Sequence, residues 1–311
     1  MTIIIELALL AVGFFLLVKG ADWFVDGASG IADKFGIPQL VIGLTIVAMG
    51  TSAPEAAVSI AAALKGTADI TVGNVLGSNI LNVFIILGCA SVITVIAVAE
   101  TTVKYEIPFM LAMTGFFAFL GYTDGMITFA EGVVLWACFI AYLAYMFVMC
   151  KKGVMQAEEI ISSGSVPKLL FFMIVGMGLI IFGSDVTVDA ATELAKIFGM
   201  SERFIGLTVV ALGTSLPELV TSVVAARRDK ADIAIGNIVG SNIFNILFVV
   251  GTSALIIPIA FAEKFLIDCG IAFAAGLMLW LFVFKKRNLN RRDGALMLLA
   301  YGVYFGYLML Q

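Results

Sequence analysis

Two short polar motifs punctuate an otherwise oily chain: Gly-Thr-Ser-Ala-Pro-Glu at residues 50–55 and Gly-Thr-Ser-Leu-Pro-Glu at 213–218. Each ends in a carboxylate. Thr51 and Ser52 precede Glu55 by four and three residues, as Thr214 and Ser215 precede Glu218, so on a helix each set shares one face. Pro54 and Pro217 have no N–H to donate, which leaves the carbonyls of Gly50 and Gly213 without their helical partner. One turn therefore gathers a carboxylate, hydroxyls and a bare carbonyl, a donor set suited to a hard cation. A proline kink alone, or a protonated glutamate bonding two helices, would explain one feature but neither its neighbours nor its duplication.

A second pair of motifs follows, G-N-V-L-G-S-N-I-L-N at 73–82 and G-N-I-V-G-S-N-I-F-N at 236–245. Ser78 and Asn82 are four apart, as are Ser241 and Asn245, so each pair projects from one helix face as candidate ligands. Gly73 with Gly77, and Gly236 with Gly240, form G-x-x-x-G patterns that let helix backbones approach closely, with Asn79 and Asn242 bonding across them. The chain has no histidine, and Cys89, Cys138, Cys150 and Cys269 form no C-x-x-C pairing. Any metal must be held by oxygen, and neither a disulfide framework nor a resident cofactor is indicated.

These motifs need elements to position them, and the composition says which. With 62% hydrophobic and 13% charged residues, the chain is bilayer-embedded rather than water-soluble. Apolar runs long enough to span a core of about 30 Å fall at 3–25, 39–64, 71–99, 107–122, 127–149, 169–188, 204–226, 233–262, 265–284 and 295–310. The expected fold is all-α: a polytopic membrane protein of ten transmembrane helices. Glu55 and Glu218 are the acids expected deep within spans. Each precedes a basic residue, Lys65 or Arg228, by ten positions, about 15 Å of helix rise, which places it near the midplane. A carboxylate there costs at least about 2.5 kcal/mol unless partnered, so it marks a functional site by default.

The two motif sets belong to one duplicated unit. An ungapped offset of 163 carries Gly20 to Gly183, Asp22 to Asp185, Asp26 to Asp189, Asp69 to Asp232 and Asn82 to Asn245. Five spans per unit is an odd number, so the second copy must enter the membrane from the opposite side. Such inverted-topology repeats place a substrate site where the copies meet. The expected organisation is a first five-helix repeat at 1–150 with its motif at 43–82, a cytoplasmic linker at 151–167, and a second repeat at 168–311 with its motif at 206–245. With both termini outside, only Lys65, Lys196, Arg203 and Lys264 of the 18 Lys and Arg fall outside, which satisfies the positive-inside rule. The absence of a cleavable leader and of appended domains suggests a multi-pass protein of a prokaryotic cell membrane.

These signatures resemble the cation/calcium exchangers, which include the sodium/calcium exchangers, over nearly the whole chain. The resemblance implies ion ligation by Thr51, Ser52, Glu55, Ser78 and Asn82 in the first repeat and by Thr214, Ser215, Glu218 and Ser241 in the second. Main-chain oxygens of Ala48 and Ala211 would contribute. Asn245 departs from the pattern, since many sodium/calcium exchangers carry Asp there. An all-oxygen site with two carboxylates suits Ca²⁺ better than Mg²⁺, which sheds its water reluctantly. One divalent cation, two Na⁺ or two protons would neutralise it, and mutually exclusive occupants are what exchange requires. The expected activity is secondary active exchange of Ca²⁺ for Na⁺ by alternating access, with the ions as substrates and a monomer sufficient. Proton-coupled or potassium-involving exchange is the alternative. A channel would need a continuous pore rather than a closed site. An intramembrane hydrolase would need a nucleophile with a base, which Ser52 and Glu55 only imitate. Nothing points to nucleic acid.

Overall fold

Uninterrupted apolar sequence in a bilayer satisfies its backbone polar groups internally, and helices do this within one segment. The computed structural model describes residues 2–151, 165–200 and 211–310. Its first half holds α1 (Thr2–Phe35), α2 (Gln39–Thr51), α3 (Ala53–Leu64), α4 (Ile70–Ile93), α5 (Thr102–Asp124) and α6 (Phe129–Lys151). The second holds α7 (Val166–Ile197), α8 (Ala211–Thr214), α9 (Leu216–Arg227), α10 (Ala231–Ile256), α11 (Lys264–Lys286) and α12 (Arg291–Leu310). Seven of these helices are long and apolar enough to cross a membrane, and the bent pair α2–α3 makes an eighth. The chain is thus a multi-pass, nearly all-helical membrane protein. α12 is 20 residues long but opens on Arg291, Arg292 and Asp293. The start of the expected seventh span (204–210), the start of the motif at 206–245 and most of the expected linker (152–164) lie outside the described residues.

Two details depart from the expected spans. α1 and α7 run on past 25 and 188, because their second halves carry polar residues on one side while the other stays packed. The runs at 71–99 and 233–262 end sooner as helix, because their last residues form two-residue strands. β1 (Ile96–Ala97) pairs antiparallel with β4 (Asn288–Leu289), and β2 (Met126–Ile127) with β3 (Ile259–Ala260). Each ribbon ties a loop of the first half to a loop of the second. Beside the first, Glu100 bonds Lys104 at 2.5 Å and Arg287 at 2.9 Å, and these contacts hold its carboxyl below the ordinary range.

α10 and α4 form the centre, with 94% and 72% of their most apolar stretch buried, against 17% for α1 and 28% for α7. α1 and α7 lie together at the periphery and run antiparallel: Gly13 sits against Gly183 and Thr187, Gly20 against Gly176 and Ile180, and Gly27 against Leu169 and Met173. A Cβ on Gly20 would come within 2.7 Å of the Gly176 carbonyl, so only glycine permits this approach. α10 meets α2 equally closely, since a Cβ on Gly240 would lie 2.5 Å from the Leu44 carbonyl. The segment that stands to Gly73 and Gly77 as α2 stands to Gly236 and Gly240 falls mostly at 203–210, outside the described residues.

Candidate cation site

The proline in each motif decides the local geometry. Between α2 and α3 the axis bends by 49° at Ser52, whose φ of −82° and ψ of 9° interrupt the helix. Ser215 does the same between α8 and α9, with φ −94° and ψ 7°. Glu55 and Glu218 therefore fall in the first turn of a new helix, where the positive end of the helix dipole favours negative charge. Both side chains are completely buried.

The two breaks face each other. Ser52 donates to Glu218 Oε1 at 2.8 Å, and Ser215 donates to Glu55 Oε1 at 3.4 Å. Ser78 from α4 also donates to Glu55 Oε1, at 3.3 Å, and lies 3.4 Å from the Ser215 hydroxyl. Ser241 from α10 donates to the Ala48 carbonyl at 3.4 Å, and Thr51 reaches the same carbonyl at 3.3 Å. Thr214 is half-buried on α8, which Ala211 begins. Gly213 does not keep a bare carbonyl, because Ser184 donates to it at 3.0 Å; its counterpart Ala21 has no hydroxyl to do the same for Gly50.

Asn82 and Asn245 each open a wider, π-helical turn, at Asn82–Leu87 and Asn245–Val250. Their amide nitrogens are held across the repeats: Asn82 Nδ2 donates to Asn242 Oδ1 at 2.9 Å, and Asn245 Nδ2 to Asn79 Oδ1 at 3.1 Å and to Ser78 Oγ at 3.5 Å. Asn79 and Asn242 in turn exchange 3.2 Å bonds, each Nδ2 to the other's carbonyl. They are thus the crossing pair expected, and they also fix which end of Asn82 and Asn245 is free. The sequence reading missed Asn74 and Asn237. Each donates to the main-chain carbonyl of a site glutamate, at 3.2 Å for Glu55 and 3.5 Å for Glu218, and at 2.9 Å to Ser59 or Ser222. Asn237 also accepts from Thr51 at 2.9 Å. Their conservation at the repeat offset was the available signal.

Four buried acceptors are left over: Glu55 Oε2, Glu218 Oε2, Asn82 Oδ1 and Asn245 Oδ1 have no hydrogen-bond partner among the described residues. A buried acceptor left unsatisfied costs about 1–3 kcal/mol, more when charged. Among the described residues neither glutamate pairs with Lys or Arg. Nor is there a cluster of three or more Asp, Glu or Cys able to hold a metal. Two carboxylates with neutral oxygens and no fixed counter-charge fit a cation that comes and goes. Two further acids are buried in the protein near helix starts rather than deep within a span, Glu106 and Asp293. Glu106 in α5 is 1% exposed and accepts from Tyr145 at 2.8 Å, beside a cavity of about 340 Å³ lined with Tyr105, Phe109 and Tyr142.

A multi-pass helical protein with a buried, oxygen-only site is a transporter in class. Residues 5–148 and 168–310 match the model of the sodium/calcium exchanger protein family, and the chain belongs to that family, one of transporters and not enzymes. It is 32% identical to the sodium/calcium exchanger MaX1 of Methanosarcina acetivorans, over 96% of this chain and 97% of the relative. It is 37% identical to the inner membrane protein YrbG of Escherichia coli, over 88% of each. The sodium-calcium exchanger NCX_Mj, in a structure soaked with Na⁺ and Sr²⁺, superposes with a TM-score of 0.84 at 33% identity, covering 98% of both chains.

Proposed function

We propose that this protein is a secondary antiporter that exchanges Ca²⁺ for Na⁺ by alternating access, in a prokaryotic cell membrane with both termini outside. The observation that carries the reading is the set of four orphaned acceptors, two from carboxylates with no fixed counter-ion. One Ca²⁺ or two Na⁺ would satisfy the charge and the lone pairs together, and neither can stay when the other enters. Ligation is assigned to Glu55, Glu218, Asn82 and Asn245, with hydroxyls of Thr51, Ser52, Ser78, Thr214, Ser215 and Ser241 and carbonyls of Ala48 and Ala211.

The proposed architecture is ten spans in two inverted five-helix repeats joined by a cytoplasmic linker. Reciprocal geometry at the offset of 163 supports it: Asn79 with Asn242, Gly13–Gly183 with Gly20–Gly176, and Ser52–Glu218 with Ser215–Glu55. The antiparallel course of α1 and α7, which begin the two repeats, points the same way. Because Asn245 is neutral, each cycle moves less net charge than in relatives with Asp at that position.

The test is uptake of radiolabelled calcium by proteoliposomes under an outward Na⁺ gradient at equal pH, against an outward proton gradient in Na⁺-free buffer. Uptake driven by Na⁺ alone is expected. Uptake driven only by protons would replace the Na⁺ assignment, and none in either case would mean a different cargo.

A further inference from the structure

α1 covers α9, whereas α7 leaves its counterpart α3 bare. At the repeat offset, Thr221 is wholly buried where Val58 is 45% exposed, and Val224 is buried where Ala61 is exposed. α1 packs along α9, and no comparable packing joins α7 to α3. At the end of the covered groove Arg228, just beyond α9, bonds Asp22 Oδ1 at 2.8 Å and also bonds Asp26. Both acids lie on α1. The same three charges recur in register as Asp185, Asp189 and Lys65. All three are exposed, and among the described residues no ion pair joins them.

Charges kept in both copies but engaged in one are what a contact made alternately on two faces requires. We propose that Arg228, Asp22 and Asp26 form an ion-pair latch that shuts one face of the site. In the opposite state Lys65, Asp185 and Asp189 form the matching latch. The proposal rests on the exchanger reading above. When α1 and α7 slide together along the remaining helices, one latch opens as the other closes. Exposed ion pairs are individually weak, which suits a contact broken in every cycle. The latches are unequal: a planar guanidinium can fork onto two carboxylates, while the Lys65 ammonium is a point charge. The face closed by Arg228, cytoplasmic by the distribution of basic residues, is therefore held more firmly and the resting protein opens on the other.

The test uses a background with the four native cysteines replaced and one reporter, Val224→Cys or Ala61→Cys, modified by a membrane-impermeant thiol reagent. Arg228→Gln should raise the labelling rate at 224 about threefold to tenfold and lower it at 61, as loss of two exposed pairs would shift the balance. Arg228→Lys should fall between. Unchanged rates in a well-folded Arg228→Gln protein would overturn the proposal. As an independent arm, Lys65→Cys with Asp189→Cys should cross-link and protect 61 from reagent until reduced, and no cross-link in Na⁺, Ca²⁺ or ion-free buffer would overturn the second latch. Labelling is read without transport. A parent protein that switches faces yet carries no calcium would refute the exchanger reading and leave the latch standing.

Discussion

Replacing Glu55 or Glu218 by Gln keeps the size of the side chain and one carbonyl oxygen but removes a full negative charge from a site that has only two. Both carboxylates are wholly buried, and each presents an unpartnered oxygen. At an effective dielectric of about 20, unit charges about 4 Å apart attract by roughly 4 kcal/mol, and a divalent ion at ligand distance gains more. Each 1.4 kcal/mol is tenfold, so either variant should weaken Ca²⁺ binding by about a thousandfold. The amide nitrogen adds a donor where the ion needs an acceptor. The helix dipole, the Ser52 and Ser215 bonds and the packing survive, so folding should not suffer. The assay is initial calcium uptake by proteoliposomes at subsaturating Ca²⁺, with size-exclusion profiles to show that the protein is intact. If either variant, well folded, keeps more than about a tenth of wild-type uptake, an ion is not held by the two acids together and the charge argument fails.

Three further outcomes are expected. Asn245→Asp puts a third charge where Asn245 Oδ1, an acceptor without a partner among the described residues, now stands, so Na⁺-driven calcium uptake should become more sensitive to a clamped voltage; an unaltered voltage response would remove the charge-balance argument. Gly240→Ala would place a Cβ 2.5 Å from the Leu44 carbonyl and should destabilise by about 1–3 kcal/mol, read as a lower melting temperature in detergent; an unshifted melt would mean that α2 and α10 do not meet as described. Thr67→Cys and Lys230→Cys, counterparts at the repeat offset in a cysteine-free background, should label from opposite sides of the membrane, the first from outside; labelling from one side would refute the inversion.

The candidate site was legible because its chemistry is duplicated. Glu55, Glu218 and their serines could be named from two motifs, since a shared offset protects polar residues from being read as accidents in an apolar chain. What the motifs could not convey was direction. Spacing puts Ser78 and Asn82 on one face, but nothing in it says that Asn79 and Asn242 accept from the amide nitrogens and leave each Oδ1 without a partner among the described residues. Nor does spacing reveal that Ser184 claims the Gly213 carbonyl, because the two residues meet only through the packing of α7 on α8. Element boundaries failed where hydropathy is a poor guide. The second halves of α1 and α7 carry charges that mimic loops, and two-residue strands end helices whose composition alone would continue them.

The arrangement of fixed charge argues for exchange over simple passage. Among the described residues the ion pairs stand away from the site: Arg228 serves Asp22 and Asp26, Arg287 and Lys104 serve Glu100, and the two site glutamates keep no such partner. A lysine or arginine beside Glu55 would have satisfied the site permanently and released it from needing an ion. Left unpaired in a buried setting, the two carboxylates make the empty site the unfavourable state, since each isolated buried charge costs several kcal/mol. A protein that must move to change faces then does so most readily when loaded with enough positive charge to cancel two negatives. In the proposed cycle, crossing with neither ions nor protons would carry those negatives through low dielectric, and crossing with both a Ca²⁺ and two Na⁺ would carry an equal surplus of the other sign. In the exchange proposed above, the charge count at Glu55 and Glu218 would couple the two ions without any dedicated coupling part, and changing that count, as Asn245→Asp does, should change how the ions are coupled before it changes whether they bind.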